Sequence, residues 1–388
     1  VQRHFWLNQI EMLLRDRSIL WLSGVRRVGK TTLCKSYPNI RYFDCELPRV
    51  RSELEDPERF FRLSQHKIIV LDEIHRLSNP SEVLKICADH FPEIKLIATG
   101  SSTLAAKSKF RDTLTGRKRE LWLLPSIAVD QKTFGVDKLD DRMLKGGLPS
   151  MLLAPTTRDS EFIEWMDSFW AKDVQELFIV ERRHSFMKFI ELLFKQNGGL
   201  FEAQAFTTPC EISRQTVMNY LSILETTLLF SVIRPFHNGS ATEIKMQPKI
   251  YGFDTGFVSF YQGIESIDSE SRGHLFENLV LLELQSVLSK SEIFYWRNKQ
   301  KHEIDFVVKN GRSRKIYAIE CKSKANQFDA SSLAIFRKLY PLGSNIVVCL
   351  DRSIPEKRVV SGLEVIFCGY HELSDLLFSM LDENDATS

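Results

Sequence analysis

The segment Gly24-Val25-Arg26-Arg27-Val28-Gly29-Lys30-Thr31 constrains this chain more than any other. It fits the phosphate-loop pattern G-x-x-x-x-G-K-[ST] and follows the apolar run Ile19-Leu20-Trp21-Leu22, the strand–loop–helix setting that the pattern needs. Gly24 and Gly29 let the backbone turn so that successive N–H groups face inward onto phosphate oxygens. Lys30 is placed to reach the β- and γ-phosphates, the Thr31 hydroxyl to ligate Mg²⁺, and the helix opening at Lys30 to add its positive end. Val25, Arg26, Arg27, Val28 and Thr32 complete the segment expected to wrap a nucleotide. Such a segment requires an open, parallel α/β sheet.

Lys67-Ile68-Ile69-Val70-Leu71 is continuously apolar, as a central parallel strand should be. It delivers Asp72 and Glu73 at its carboxyl end, where ligands bind in open α/β sheets. Asp72 is expected to hold Mg²⁺ through water, and Glu73 to orient or deprotonate the attacking water. A third strand, Ile94 to Ala98, ends in Thr99-Gly100-Ser101-Ser102. Thr99 and Ser101 are candidates to sense the γ-phosphate, and an ordinary hydroxyl-rich turn explains them as well. Arg111 and Arg117 lie in a basic stretch, Lys107 to Arg119, where an arginine finger or a solvated basic face would read alike. Guanine-specific sites use Asn-Lys-x-Asp; Asn298-Lys299-Gln300-Lys301 lacks the acid, so the expected base is adenine, and the expected cofactors are ATP and Mg²⁺.

With 388 residues, 43% of them hydrophobic, the chain is long enough for two or three domains with substantial cores. The formal charge of +2 confines any nucleic-acid site to a local patch. Seven cysteines form no C-x-x-C pair, and Cys34, Cys87 and Cys349 sit in apolar contexts; they read as reduced thiols of a cytoplasmic protein. No apolar run approaches the ~20 residues that span a bilayer, and Val1-Gln2-Arg3-His4 lacks a signal-peptide pattern.

A second constellation lies in the C-terminal third. Glu303 to Val308 reads as a strand carrying Asp305, Asn310-Gly311 as a tight turn, and Lys315 to Ile319 as a strand ending in Glu320-Cys321-Lys322. Alternation along a strand puts Glu320 and Lys322 on one face, so paired strands can gather Asp305, Glu320 and Lys322. A helix beginning at Gly273-His274-Leu275-Phe276-Glu277 can add Glu277. Such a set suits metal-assisted phosphodiester cleavage, with Glu277, Asp305 and Glu320 as ligands of Mg²⁺ or Mn²⁺ and Lys322 stabilising negative charge. A structural ion pair is the plainer reading of the same residues.

Between the two sites the sequence is mostly helical. Glu161 to Val180 carries Phe162, Trp165 and Phe169 at helical spacing, as core residues would be. A helix from Phe186 stops at Asn197-Gly198-Gly199, and Ser213 is a plausible N-cap for a helix from Arg214 to Glu225. A strand from Leu228 to Ile233, a turn at Pro235 to Gly239 and a segment from Glu243 to Met246 complete a winged-helix pattern. Arg214, Gln215 and Asn219 would then face a DNA groove, with Lys245 and Lys249 on phosphates. A packing module that relays motion is the competing reading.

Helix with Glu277, strand with Asp305, strand ending Glu320-x-Lys322: that order resembles the PD-(D/E)XK nuclease superfamily, with Ile304 where the superfamily name has proline. From about Trp6 to Cys368 the chain resembles prokaryotic AAA-type P-loop ATPases carrying a C-terminal nuclease-like region. The resemblance rests on Gly24 to Leu33, Val70 to Ile74, Thr99 to Ser102, Leu114 to Arg117, Gly146-Gly147-Leu148-Pro149, Phe276-Glu277-Asn278, Glu303 to Phe306 and Ile319 to Lys322. It implies ATP hydrolysis and, less directly, nuclease activity. DNA is the expected partner, and AAA-type enzymes often act as rings in which an arginine from one subunit completes the neighbour's site, a homo-oligomer for which Arg111 and Arg117 are the candidate arginines. The expected fold class is α/β: a P-loop parallel-sheet ATPase core over 1–135, a helical lid or connector over 136–184, a winged-helix-like domain over 185–250, and a nuclease-like α/β domain over 251–388. The alternative is a nucleotide-driven switch whose C-terminal domain is a catalytically inactive interaction module.

Overall fold

The computed structural model describes residues 2–100, 114–176, 178–237, 247–309 and 315–385. Five parallel strands form the first sheet: β1 (Ile19–Ser23), β2 (Arg41–Asp44), β3 (Ile68–Asp72), β4 (Lys95–Thr99) and β5 (Lys118–Trp122), in the order β2-β3-β4-β1-β5. Their central members are apolar on both faces because both faces are covered. Leu20 and Leu22 join one core with Val70 and Ile97, while Ile19 and Trp21 join the opposite one with Ile69, Leu71 and Leu96. The helix His4–Asp16 packs against β1 and β5.

A second sheet of eight strands occupies the C-terminal half. Its members are β6 (Phe230–Pro235), β7 (Lys249–Gly252), β8 (Ile293–Arg297), β9 (Glu303–Val308), β10 (Tyr317–Lys322), β11 (Asn345–Cys349), β12 (Glu356–Val360) and β13 (Leu363–Gly369), in the order β12-β13-β11-β10-β9-β8-β6-β7. The pairs β10–β11, β11–β13 and β6–β8 are parallel; the others are antiparallel. The helix Ser269–Val287 contacts β10, and the helix Ser331–Leu339 contacts β9.

The expected division at 250/251 runs through β7. The hairpin expected to be a free wing is instead absorbed into the C-terminal sheet, because β6 pairs in parallel with β8. The helices Arg183–Lys195, Ala203–Cys210 and Arg214–Thr226 do form a three-helix group, and Ser213 caps the last by accepting from the Thr216 N–H at 3.1 Å. The expected segment 243–246, with Lys245, lies outside the described residues. One apolar core runs without interruption from Leu20 and Leu22 through Trp165, Phe194 and Phe257 to Phe276 and Ile319. Among the described residues no helix is long and apolar enough to cross a membrane.

Candidate functional sites: a nucleotide cleft and a carboxylate cluster

The phosphate loop takes the shape its glycines permit. Gly24 has φ of 152°, and a Cβ there would stand 2.6 Å from the Leu123 carbonyl oxygen. Gly29 is left-handed, with φ of 100°, and caps the helix Lys30–Ser36. Lys30 Nζ donates to the carbonyl oxygens of Gly24 (2.8 Å) and Val25 (3.1 Å), inside a cleft of about 440 Å³ lined by Arg26, Arg27, Val28, Thr31 and Thr32 as well. Burial pushes the Lys30 ammonium below its usual range, against the opposing pull of Glu73, Asp173 and Asp72.

Adjacent strand ends build the acidic edge of this cleft. Leu71 pairs with Ala98, so Asp72 and Thr99 emerge side by side. Thr99 Oγ1 donates to Asp72 Oδ1 and accepts the Glu73 N–H at 3.1 Å, so one hydroxyl fixes both acids. The other Asp72 oxygen accepts from Thr31 Oγ1 (2.7 Å) and from Tyr42 OH (2.6 Å). Asp72 is buried. Thr31 and Asp72 are thus side by side and rich in hard oxygen donors, a pair that fits Mg²⁺. Glu73 adopts φ of 54°, an uncommon conformation for a glutamate. Its Oε2 lies 3.1 Å from His75 Nδ1. Burial would raise the Glu73 carboxyl, but the His75 hydrogen bond and the charges of Lys30, His75 and Arg26 win and lower it. An ionised Glu73 is suited to orienting a water.

Three partners of this cleft carry no motif. Tyr42 arrives from β2. Lys172 and Asp173 arrive from a single π-helical turn, Trp170–Val174, that continues the helix Asp159–Phe169. The widened turn carries both residues to the cleft, and Arg26 Nη1 pairs with Asp173 Oδ2 at 3.2 Å. Trp165 Nε1 donates to the Arg26 carbonyl at 3.2 Å. Pro149 and Ser150, after the Gly146-Gly147 pair, line the same cleft.

Arg117 requires a correction. It pairs with Asp89 (2.6 Å) just before β5, at the end of the sheet opposite the phosphate loop. A five-residue strand separates the two ends by about 16 Å, so Arg117 does not reach the phosphates of its own chain. Ser101 and Arg111 lie outside the described residues.

In the C-terminal sheet, β9 and β10 pair Phe306 with Ile319, and one further step in that register sets Asp305 opposite Glu320. Lys322 Nζ lies 2.8 Å from Glu320 Oε2 and 3.8 Å from Asp305 Oδ2, which also accepts the Cys321 N–H at 2.8 Å. Burial and the neighbouring Asp305 push the Glu320 carboxyl up to about 8. Glu277, from the helix Ser269–Val287, faces the same region closely enough to repel Asp305 and Glu320. It is engaged, however, by two donors from β7: Lys249 Nζ at 3.0 Å and Tyr251 OH. Lys249 also holds Glu303 Oε1 at 2.6 Å.

Two expectations change here. Lys249, expected to touch DNA phosphates, is buried among carboxylates. The three-acid metal set of Glu277, Asp305 and Glu320 is not assembled: among the described residues no three His, Cys, Asp or Glu side chains are arranged to hold a metal ion. The physical reason is that ammonium groups already balance these buried acids.

Residues 16–128 match the family described as an AAA domain; residues 136–268 and 272–365 match two domains of unknown function, DUF8612 and DUF4143. An uncharacterised protein of Mycobacterium tuberculosis is 27% identical to this chain, covering 83% of it and 74% of its own length. One from Haemophilus influenzae is 22% identical, covering 95% and 97%. Among solved structures, a Thermotoga maritima RuvB variant aligns with 60% of this chain and 90% of its own at 15% identity and a TM-score of 0.30. Residues 16–128 are thus similar to AAA domains, and the N-terminal region has the parallel-sheet α/β fold of a P-loop ATPase, joined to a helical middle and a C-terminal sheet domain.

Proposed function

We propose that the chain hydrolyses ATP and uses its nucleotide state to govern a nuclease-like centre acting on DNA. The observation that carries the first half is the shared edge of β3 and β4, where Thr99 fixes Asp72 and Glu73 beside Lys30 and Thr31. Lys30 and the loop N–H groups bind the β- and γ-phosphates, Glu73 orients the attacking water, and Thr99 keeps both acids in register. Thr31 and Asp72 would hold Mg²⁺, which supplies neutralisation of phosphate charge.

The second half is supported by Asp305, Glu320 and Lys322 gathering on two paired strands beside the helix of Glu277. DNA is the proposed substrate, with the exposed Arg214 and Arg234 bordering a groove between the three-helix group and β6. One observation favours a second reading, a catalytically silent interaction module: lysines already neutralise the acidic cluster.

The experiment is an ATPase and DNA-cleavage assay, with Mg²⁺ and with Mn²⁺, on the native chain, Lys30→Ala and Asp305→Ala. Lys30→Ala is expected to lower ATP turnover by about 100-fold or more. Asp305→Ala should abolish cleavage and leave ATP turnover unchanged. Unaltered turnover in Lys30→Ala would end the ATPase assignment, and cleavage that survives Asp305→Ala would end the nuclease one.

A further inference from the structure

Lys249 enters the C-terminal cluster although no motif announces it. It lies on the last strand of the sheet, yet its side chain is only 6% exposed and its ammonium sits between two carboxylates from different elements. Glu277 comes from a helix and Glu303 from the start of β9. Glu277 Oε1 takes both the Lys249 ammonium and the Tyr251 hydroxyl, which lie two residues apart and therefore on one face of β7. Glu303 is equally occupied, with Oε1 on Lys249 and Oε2 3.1 Å from Arg297 Nη1. Asp305 and Glu320, by contrast, make their ion pairs, among the described residues, with Lys322, and Asp305 also accepts the Cys321 N–H.

The cluster thus divides into two halves. One half, Glu277 and Glu303, is neutralised by cations fixed in the fold. The other, Asp305 and Glu320, faces Lys322 at the end of β10, a lysine 28% exposed that has room to move aside. A buried carboxylate needs a positive partner, and a divalent ion or an ammonium meets that need equally well.

We infer that Lys249 is the resident cation of this cluster: it holds Glu277 as a positioning residue and keeps a divalent ion out of the Glu277–Glu303 half. Any metal bound to the native chain is then a single ion on Asp305 and Glu320. The inference concerns the same cluster as the cleavage reading but does not depend on cleavage occurring.

The test is Mn²⁺ binding to the full chain, followed by calorimetry and by electron paramagnetic resonance of free Mn²⁺. Lys249→Met is expected to bind one Mn²⁺ more per chain than the native protein, and Lys249→Arg, which keeps the charge, no more. Adding Glu277→Gln to Lys249→Met should abolish the extra ion. An unchanged stoichiometry in a folded Lys249→Met would overturn the inference. Should Lys249→Met fail to fold, Glu277→Gln alone decides: Mn²⁺ affinity within about 3-fold of native supports Lys249 as the cation there. A loss as large as that in Asp305→Asn shows Glu277 to be a ligand and overturns it. A native chain that binds no Mn²⁺ and cleaves nothing, while Lys249→Met gains an ion, would sink the nuclease reading and leave this one standing.

Discussion

The Thr99 hydroxyl shows how much one oxygen can organise. It donates to Asp72 and accepts from the backbone of Glu73, so the acid beside Thr31 and the acid poised for water share a single anchor. Removing it leaves the phosphate loop untouched. Thr99→Val is therefore expected to lower ATP turnover about 10-fold while nucleotide affinity stays within about 2-fold, since the contact matters to positioning and not to phosphate binding. Steady-state turnover beside equilibrium binding of a fluorescent nucleotide separates the two. Equal losses in both would show Thr99 to be structural. The hydroxyl at this strand end was readable from the sequence as a candidate. Its grip on both acids was not, because that depends on β3 and β4 being neighbours in register.

At the scale of elements, β7 links the two candidate sites. Lys249 and Tyr251 reach Glu277 at the carboxylate cluster. Just past the strand, Phe253 stacks on Trp165 with ring centroids 5.1 Å apart, and Trp165 donates to the carbonyl of Arg26 in the phosphate loop. Asp254 accepts the Gly147 N–H at 2.6 Å, two residues before Pro149 enters the cleft. Gly146 must lack a side chain here, since a Cβ would run into the Asp254 carboxylate. Trp165→Phe keeps the stacking but deletes the indole N–H. A lost hydrogen bond of about 1 kcal/mol predicts nucleotide binding weakened roughly 5-fold, and the cavity left by the smaller ring in this buried position lowers the unfolding midpoint in urea. Nucleotide affinity equal to the native value would show that the indole does not steady the loop. Sequence patterning revealed the aromatic stripe of this helix and the Gly146-Gly147 pair, yet not their purpose, because both work through partners roughly a hundred residues away.

At the scale of the whole molecule, the helix Ala128–Phe134 after β5 and the helix Ser269–Val287 of the C-terminal region meet over a buried carboxyl. Glu283 accepts the Ala128 N–H at 2.7 Å, and burial pushes its carboxyl up to about 7. Tyr370, whose OH accepts from Gln131 at 2.9 Å, stands beside this carboxyl and offsets part of that rise. The folded chain thus holds a proton on Glu283 that an unfolded chain has released above about 4.5. Stability from this group is complete below that value and is lost as pH rises toward 7, the reverse of a salt-bridged acid. Glu283→Gln is expected to flatten the fall in unfolding free energy between pH 5 and 7, by up to about 3 kcal/mol at the upper end. A pH series of urea unfolding curves checks it. Identical slopes for the two proteins would remove Glu283 as the titrating group.

The sequence alone determined the phosphate loop, its partner acids, the parallel sheet that presents them and the strand positions of Asp305, Glu320 and Lys322. These follow from short-range rules: glycine freedom, apolar strands buried on both faces, and alternation along a strand. Only the tertiary structure decided that β6 and β7 belong to the C-terminal sheet, that Arg117 lies far from its own chain's cleft, that Asp173 approaches Arg26, and that Lys249 fills the acidic cluster. Each of those pairs residues distant along the chain: β6 and β7 through strand pairing with β8, Asp173 and Lys249 through the counter-charges that their burial requires. Local pattern carries no record of that choice, because burial raises the need for a partner without naming one.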